Sequence, residues 1–112
     1  MTAVEVWTPV CVLADLIPGR GAAALLAGDE QVAIFRTTAD EVYALSNIDP
    51  FSGAAVLSRG IVGDRKGVPV VASPMHKQHF DLRTGTCLDD PGVTVAVHPV
   101  RIEDGVIMVG SP

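Results

Sequence analysis

Apolar and polar positions alternate over short distances along this chain, and turn residues interrupt every run. Residues 4–12 read as a strand broken by Pro9, which suits a sheet edge. Residues 15–21 form a loop with Pro18-Gly19 turn chemistry. Residues 22–26 fit a helix or a strand by composition alone. The turn residues Ala27-Gly28-Asp29 and the period-two alternation of residues 30–36 favour a hairpin, and hence a strand. A second turn at 37–41 leads to a third strand at Val42–Ser46, and the chain leaves this meander through Asp49-Pro50. Residues 54–61 are apolar up to Gly60 and predict a short helix or an extended crossing. Residues 62–67 read as a polar hairpin tip. Val68–Ala72 is a strand that delivers Ser73, and residues 78–82 are the next strand, turned at 83–86. Residues 88–92 are a loop. Residues 93–100 alternate and are rich in β-branched side chains. Asp104-Gly105 is a strong type I′ hairpin signal, closed by a strand at 106–109.

Many short strands at close spacing, with little helix, predict an all-β antiparallel sandwich or barrel. No repeat, low-complexity segment or linker divides the chain, so one domain over residues 1–112 is expected. Apolar residues make up 48%, enough to bury a core. The formal net charge of −5 argues against nucleic acid, whose binding rests on Lys and Arg neutralising phosphates. It also argues against anionic membranes and leaves open a protein partner with a complementary patch. No apolar run reaches the roughly 18 residues of a membrane helix, and no basic region opens the chain as in a signal peptide. A cytoplasmic protein is the expectation, with Cys11 and Cys87 as reduced thiols.

The chemistry-bearing stretch runs from Ser73 to Gly85. Ser73-Pro74-Met75-His76, followed by Phe80-Asp81-Leu82-Arg83-Thr84-Gly85, resembles the Cys-Pro-x-His…Phe-Asp-x-x-Thr-Gly run of Rieske iron–sulfur domains. The partner motif of that family, Cys-x-His, falls at Asn47-Ile48-Asp49. The resemblance therefore implies an antiparallel Rieske-like domain, with a smaller inserted lobe at about residues 47–91 that presents the two former ligand loops. The degenerate ligand positions are Asn47, Asp49, Ser73 and His76. A Rieske centre needs two thiolates on one iron and two imidazoles on the other, and a serine hydroxyl is no substitute for a thiolate. Asn47, Asp49, Ser73 and His76 suit a hard divalent ion by ligand type. The plainer expectation is that they hydrogen-bond across the two loops, because buried polar groups must be paired.

The other candidates are weaker. His76-x-x-His79 offers two ligands where a closed zinc site needs four. Asp89-Asp90 sits in a Pro-Gly loop and reads as a solvated turn. No dinucleotide fingerprint is present. Trp7 is expected in the core, and Phe51 divides evenly between core and interface.

A narrower resemblance rests on an ordered set: Gln31 to Arg36, Ser46 to Phe51, Val56 to Gly60, Val71 to Pro74, and Cys87 to Pro91. Together these look like the small subunits of assimilatory NAD(P)H-dependent nitrite reductase. That family implies a chain with no catalytic site, metal or cofactor of its own. Its partner would be a large catalytic subunit carrying siroheme, an iron–sulfur cluster and FAD, which reduces nitrite to ammonia. Phe51, His76, Lys77 and Gln78 are the candidate partner contacts. Two other readings stand beside it: a free-standing Rieske-like interaction or regulatory module, and a Rieske-type ferredoxin with unusual ligands.

Overall fold

The computed structural model describes residues 6–75 and 77–111. Among the described residues the strands run, in chain order, β1 (Val6–Val12), β2 (Arg20–Leu25), β3 (Gln31–Arg36), β4 (Val42–Ser46), β5 (Ile61–Arg65), β6 (Val68–Ala72), β7 (His79–Asp81), β8 (Val97–His98), β9 (Val100–Glu103) and β10 (Val106–Ser111). They form three antiparallel sheets, ordered β1-β10-β9, β2-β3-β4-β8 and β5-β6-β7.

The β2-β3-β4-β8 sheet is the middle layer, and the sequence of β3 explains why. Val32, Ala33, Ile34 and Phe35 are four apolar residues in a row, so both faces of the strand are apolar. Val32 and Ile34 pack with Leu16, Leu26, Ala44, Ile107 and Val109 towards the β1-β10-β9 sheet. Ala33 and Phe35 pack with Leu45, Leu57, Val71, Phe80, Leu82, Cys87 and Val95 towards the β5-β6-β7 sheet. Each fully buried Leu, Val or Phe in these layers contributes roughly 1.5–3 kcal/mol. His98 ties the layers at one end. Its Nδ1 lies 3.1 Å from the Gly110 carbonyl and its Nε2 lies 2.8 Å from Glu30 Oε1, an ion-pair distance off the line of a hydrogen bond.

The all-β reading and the meander through β4 agree with the structure, and four local expectations change. Residues 61–65, read mainly as a hairpin tip, are strand β5, paired rung by rung with β6. Only Lys66 (φ 54°) and Gly67 (φ 86°) make the turn, because a type I′ tip needs just two left-handed residues. Residues 54–60 hold only an isolated bridge from Ala55 to Ile48 and one 3₁₀ turn at Leu57–Arg59. The segment 93–100 is not one strand: Pro99 has no N–H to give and separates β8 from β9. Trp7 is half-buried, with the Arg101 guanidinium 4.6 Å above its ring.

The Phe-Asp-Leu-Arg-Thr-Gly motif after β7 is a self-supporting turn. The Gly85 N–H donates to the Asp81 carbonyl (2.7 Å), and Gly85 sits at φ 78°, where a β-carbon would collide with the Val95 carbonyl. A side chain there has neither the backbone conformation nor the space. Asp81 Oδ1 accepts the Arg83 N–H (2.8 Å) and its carboxylate meets the Arg83 guanidinium at 3.1–3.2 Å. Burial pushes the Asp81 carboxyl upward, but the Arg83 side chain, the Arg83 N–H and the Thr84 N–H outweigh it and hold it below the ordinary carboxylate range. A carboxyl depressed in the folded state stabilises fully above its unfolded pKa, about 4, and loses that contribution as pH falls through the folded value. Asp81→Asn is therefore expected to lower stability at pH 7 and to flatten the acid limb of a stability–pH curve below about pH 4; thermal melts across that range check it, and an unchanged acid limb contradicts it.

Candidate functional site

Two loops converge beside the β5-β6-β7 sheet. The first leaves β4, and its opening residue is Asn47. The Asn47 N–H donates to the Gln31 carbonyl (3.1 Å), which prolongs the β3–β4 ladder, and its own carbonyl accepts the Leu57 N–H (3.1 Å). Its side-chain Oδ1 accepts the Ser58 N–H at 2.8 Å. Asn47 thus pins the 3₁₀ turn against the middle sheet. Asp49 organises the bend that follows. Its Oδ1 accepts the N–H groups of Phe51 (2.7 Å) and Ser52 (3.2 Å), the local side-chain turn that Asp favours. The Asp49 carbonyl accepts the Gly53 N–H (2.7 Å), with Gly53 at φ 75°.

The second loop leaves β6 at Ser73. The Ser73 N–H donates to the Gln78 carbonyl and the Ser73 carbonyl accepts the Lys77 N–H, both at 2.9 Å. The Met75 N–H lies 3.3 Å from Ser73 Oγ. The Ser73 hydroxyl then donates across to Asp49 Oδ2 and joins the loops. Asn47, Asp49 and Ser73 are 2%, 0% and 1% exposed, so this polar cluster is sealed from water.

The structure brings together Asn47, Asp49 and Ser73; His76 lies outside the described residues. Phe51 is 37% exposed yet its ring sits 6.3 Å from that of Phe80, so it anchors the loop on the core while presenting an edge outward. Ile48 and Met75 are also exposed beside it. Lys77 is exposed at φ 60°. Gln78 is half-buried, with a buried Oε1 that has no hydrogen-bond partner among the described residues.

These side chains do not fit a [2Fe–2S] cluster. Asn47, Asp49 and Ser73 offer hard oxygens, and both Asp49 oxygens already accept hydrogen bonds. Thiolates are the donors such a cluster requires. Cys87 is fully buried in the core and Cys11 is on β1 of the opposite sheet; both are free thiols. Burial, and then the nearby Asp15, push the Cys11 thiol upward, away from nucleophilic thiolate.

Asp89 is an exposed loop residue, as expected, and it also joins segments that are distant in the sequence. The His79 N–H donates to its Oδ2 (2.8 Å), and Arg65 reaches its Oδ1 at 3.2 Å, so it clamps β5 to β7. The His79 N–H, with Arg65 beside it, holds the Asp89 carboxyl below its ordinary range against the opposing effect of burial. Arg65 lies 24 positions upstream, and no local pattern signals that pairing.

Removing the Ser73 hydroxyl leaves a buried carboxylate oxygen short of its donor, a loss of about 1–3 kcal/mol. Ser73→Ala is expected to lower stability by that amount in denaturant titrations, while Ser58→Ala, whose backbone N–H alone serves the cluster, leaves stability nearly unchanged. Equal stability of Ser73→Ala and the unsubstituted chain contradicts the assignment.

The sequence model of the Rieske-like [2Fe-2S] domain family matches residues 6–110. The nitrite reductase (NADH) small subunit of Escherichia coli K12 is 46% identical over 104 residues, covering 92% of this chain and 95% of that one. The nitrite reductase [NAD(P)H] large subunit of Klebsiella oxytoca is 43% identical over 105 residues, which are 94% of this chain and 11% of that protein. A crystal structure of a Mycobacterium tuberculosis protein, described as a candidate NADH-dependent nitrite reductase small subunit, superposes with a TM-score of 0.95 at 52% identity and covers 98% of both chains. A middle sheet packed on both faces and two loops joined by oxygen donors are thus set within a known lineage, and the chain belongs to the family of NAD(P)H-dependent nitrite reductase small subunits, built on a Rieske-like domain.

Proposed function

We propose that this chain is a non-catalytic subunit that supports the large subunit of a cytoplasmic NAD(P)H-dependent nitrite reductase, the enzyme of nitrate assimilation that takes nitrite to ammonia. The large subunit supplies the chemistry, through siroheme, an iron–sulfur cluster and FAD. This chain supplies a rigid surface. The observation that carries the reading is the hydrogen bond from Ser73 to Asp49, which closes the two loops with oxygen atoms where an electron carrier would need sulfur. The Klebsiella oxytoca relative supports the partnership. There, a stretch similar to this whole chain is part of a large-subunit polypeptide, so the two units are held together covalently. The free thiols Cys11 and Cys87 suit a reducing compartment.

In this reading residues 47–91 act as an inserted lobe whose tip meets the large subunit. Phe51, held on Phe80, gives the contact a rigid aromatic centre, the kind of residue that dominates binding energy in protein interfaces. Lys77 and Gln78 flank it, with His76 completing the set. The positions Asn47, Asp49, Ser73 and His76 serve as loop structure, with no metal and no cofactor bound.

Two measurements test this. A tagged copy co-expressed with the large subunit is expected to recover it, and nitrite reduction by a nicotinamide donor is expected to fall when the small subunit is withdrawn. The purified chain is expected to lack iron and acid-labile sulfide and to show no visible absorption bands. Stoichiometric iron with sulfide would make the chain an electron carrier and overturn the reading; intact nitrite reduction without it would favour an independent interaction module.

A further inference from the structure

The outer face of the β5-β6-β7 sheet carries a charge distribution opposite to that of the molecule. The alternation of β5 directs Val62 into the core and leaves Ile61, Gly63 and Arg65 on the other face, opposite Ala72, Val70 and Val68. A cleft of about 660 Å³ lies there, floored by Gly63, Val70 and Ser73 and rimmed by Arg59, Arg65 and Lys77, with Asp64 as its one carboxylate. A second groove, between the start of β2 and the 3₁₀ turn, shares Arg59, Gly60 and Ile61 with the first and adds Arg20, with no carboxylate in its lining. Four of the chain's eight Lys and Arg residues therefore border these two adjoining grooves, on a chain with thirteen Asp and Glu and a net charge of −5. Asp89, paired with Arg65, offsets part of that charge from outside the cleft.

Two further features set this surface apart. Ile61, where the grooves meet, is 77% exposed, more than any other large hydrophobic among the described residues. Gly63 lies mid-strand, where glycine weakens a sheet and often marks a close approach by another chain. A β-carbon built on Gly63 would meet nothing within 4 Å, so packing within this fold does not call for a glycine.

We propose that this depression docks an acidic, extended segment of the large subunit, seated along β5 with an apolar side chain over Ile61 and carboxylates towards Arg20, Arg59, Arg65 and Lys77. Complementary charge selects the partner and speeds its approach. β5 is an edge strand of its sheet, so a segment lying along it can also pair with its backbone. The inference rests on the partnership set out above and adds a surface that adjoins the loop tip at Lys77.

The test uses the co-expressed two-subunit complex and three forms of the small subunit: unsubstituted, Arg20→Glu/Arg59→Glu, and Gly63→Phe. The charge reversal removes attraction, and the phenylalanine fills the cleft without disturbing the core. Both variants are expected to bind the large subunit at least about tenfold more weakly, with thermal melting close to that of the unsubstituted chain. The unsubstituted pair is expected to weaken as salt rises, and the charge-reversed pair to lose that dependence. If the unsubstituted complex forms and both variants match it, the surface is misassigned while the partnership stands. If the unsubstituted chain forms no complex at all, both fall. A small subunit that dimerises alone and becomes monomeric with Gly63→Phe would assign the depression to a second copy and overturn the acidic-segment proposal.

Discussion

A buried hydrogen bond from the Ser73 hydroxyl to the Asp49 carboxylate is the constraint on which the functional end of this domain depends. It joins two loops that approach from different sheets, one leaving β4 and the other leaving β6. In an iron–sulfur protein the cluster makes that connection through metal–ligand bonds. Here the carboxylate does it, by collecting two backbone N–H groups from its own loop and one hydroxyl from the other. A buried carboxylate is costly unless its lone pairs are satisfied. Donors from the two loops reach both Asp49 oxygens, which explains how a fully enclosed carboxyl side chain is tolerated at this position.

The rest of the fold holds those loops in register. β3 is apolar on both faces, and Ala44 and Leu45 of β4 pack to opposite sides, so β4 has little freedom to shift Asn47. Asn47 ties its N–H, carbonyl and Oδ1 to neighbouring segments, while Asp89 links β5 to β7 through Arg65 and His79. Rigidity of this kind suits a docking surface, because a preorganised face loses less freedom on binding. Where a cluster-bearing domain needs thiolates and imidazoles on its two loops, this chain places oxygen donors. What remains is shape, a partly exposed aromatic tip, and a basic depression on an otherwise acidic molecule.

Much of this was legible in the sequence, because the signals were local. The Asp104-Gly105 turn, the β3–β4 meander and the strand leading into Ser73 follow from period-two alternation and turn chemistry, and each lies where those rules put it. The ordered motifs around Asn47, Ser73 and Thr84-Gly85 pointed to the family. Errors arose where a strand looked polar or a contact was distant. β5 contains Gly63, Asp64 and Arg65, so composition favoured a turn, and only pairing with β6 makes it a strand. The link between Asp89 and Arg65 was not legible because the two are remote in sequence. Trp7 read as core because large aromatics usually are; Arg101, brought alongside by strand order, supplies a covering cation instead. The basic depression was invisible for the same reason, since Arg20, Arg59, Arg65 and Lys77 converge only after β2, β5 and the second loop are in place.

The central claim is that Asp49 and Ser73 are energetically coupled and together hold the two loops where iron would otherwise stand. A double-mutant cycle on stability, with Asp49→Ala, Ser73→Ala and the pair measured by denaturant unfolding in the presence of a chelator, addresses it directly. The expected coupling is about 1–3 kcal/mol, with the double substitution costing less than the sum of the single ones. Strict additivity, within about 0.5 kcal/mol, would mean that the two side chains do not depend on each other and that the loops are held by something else.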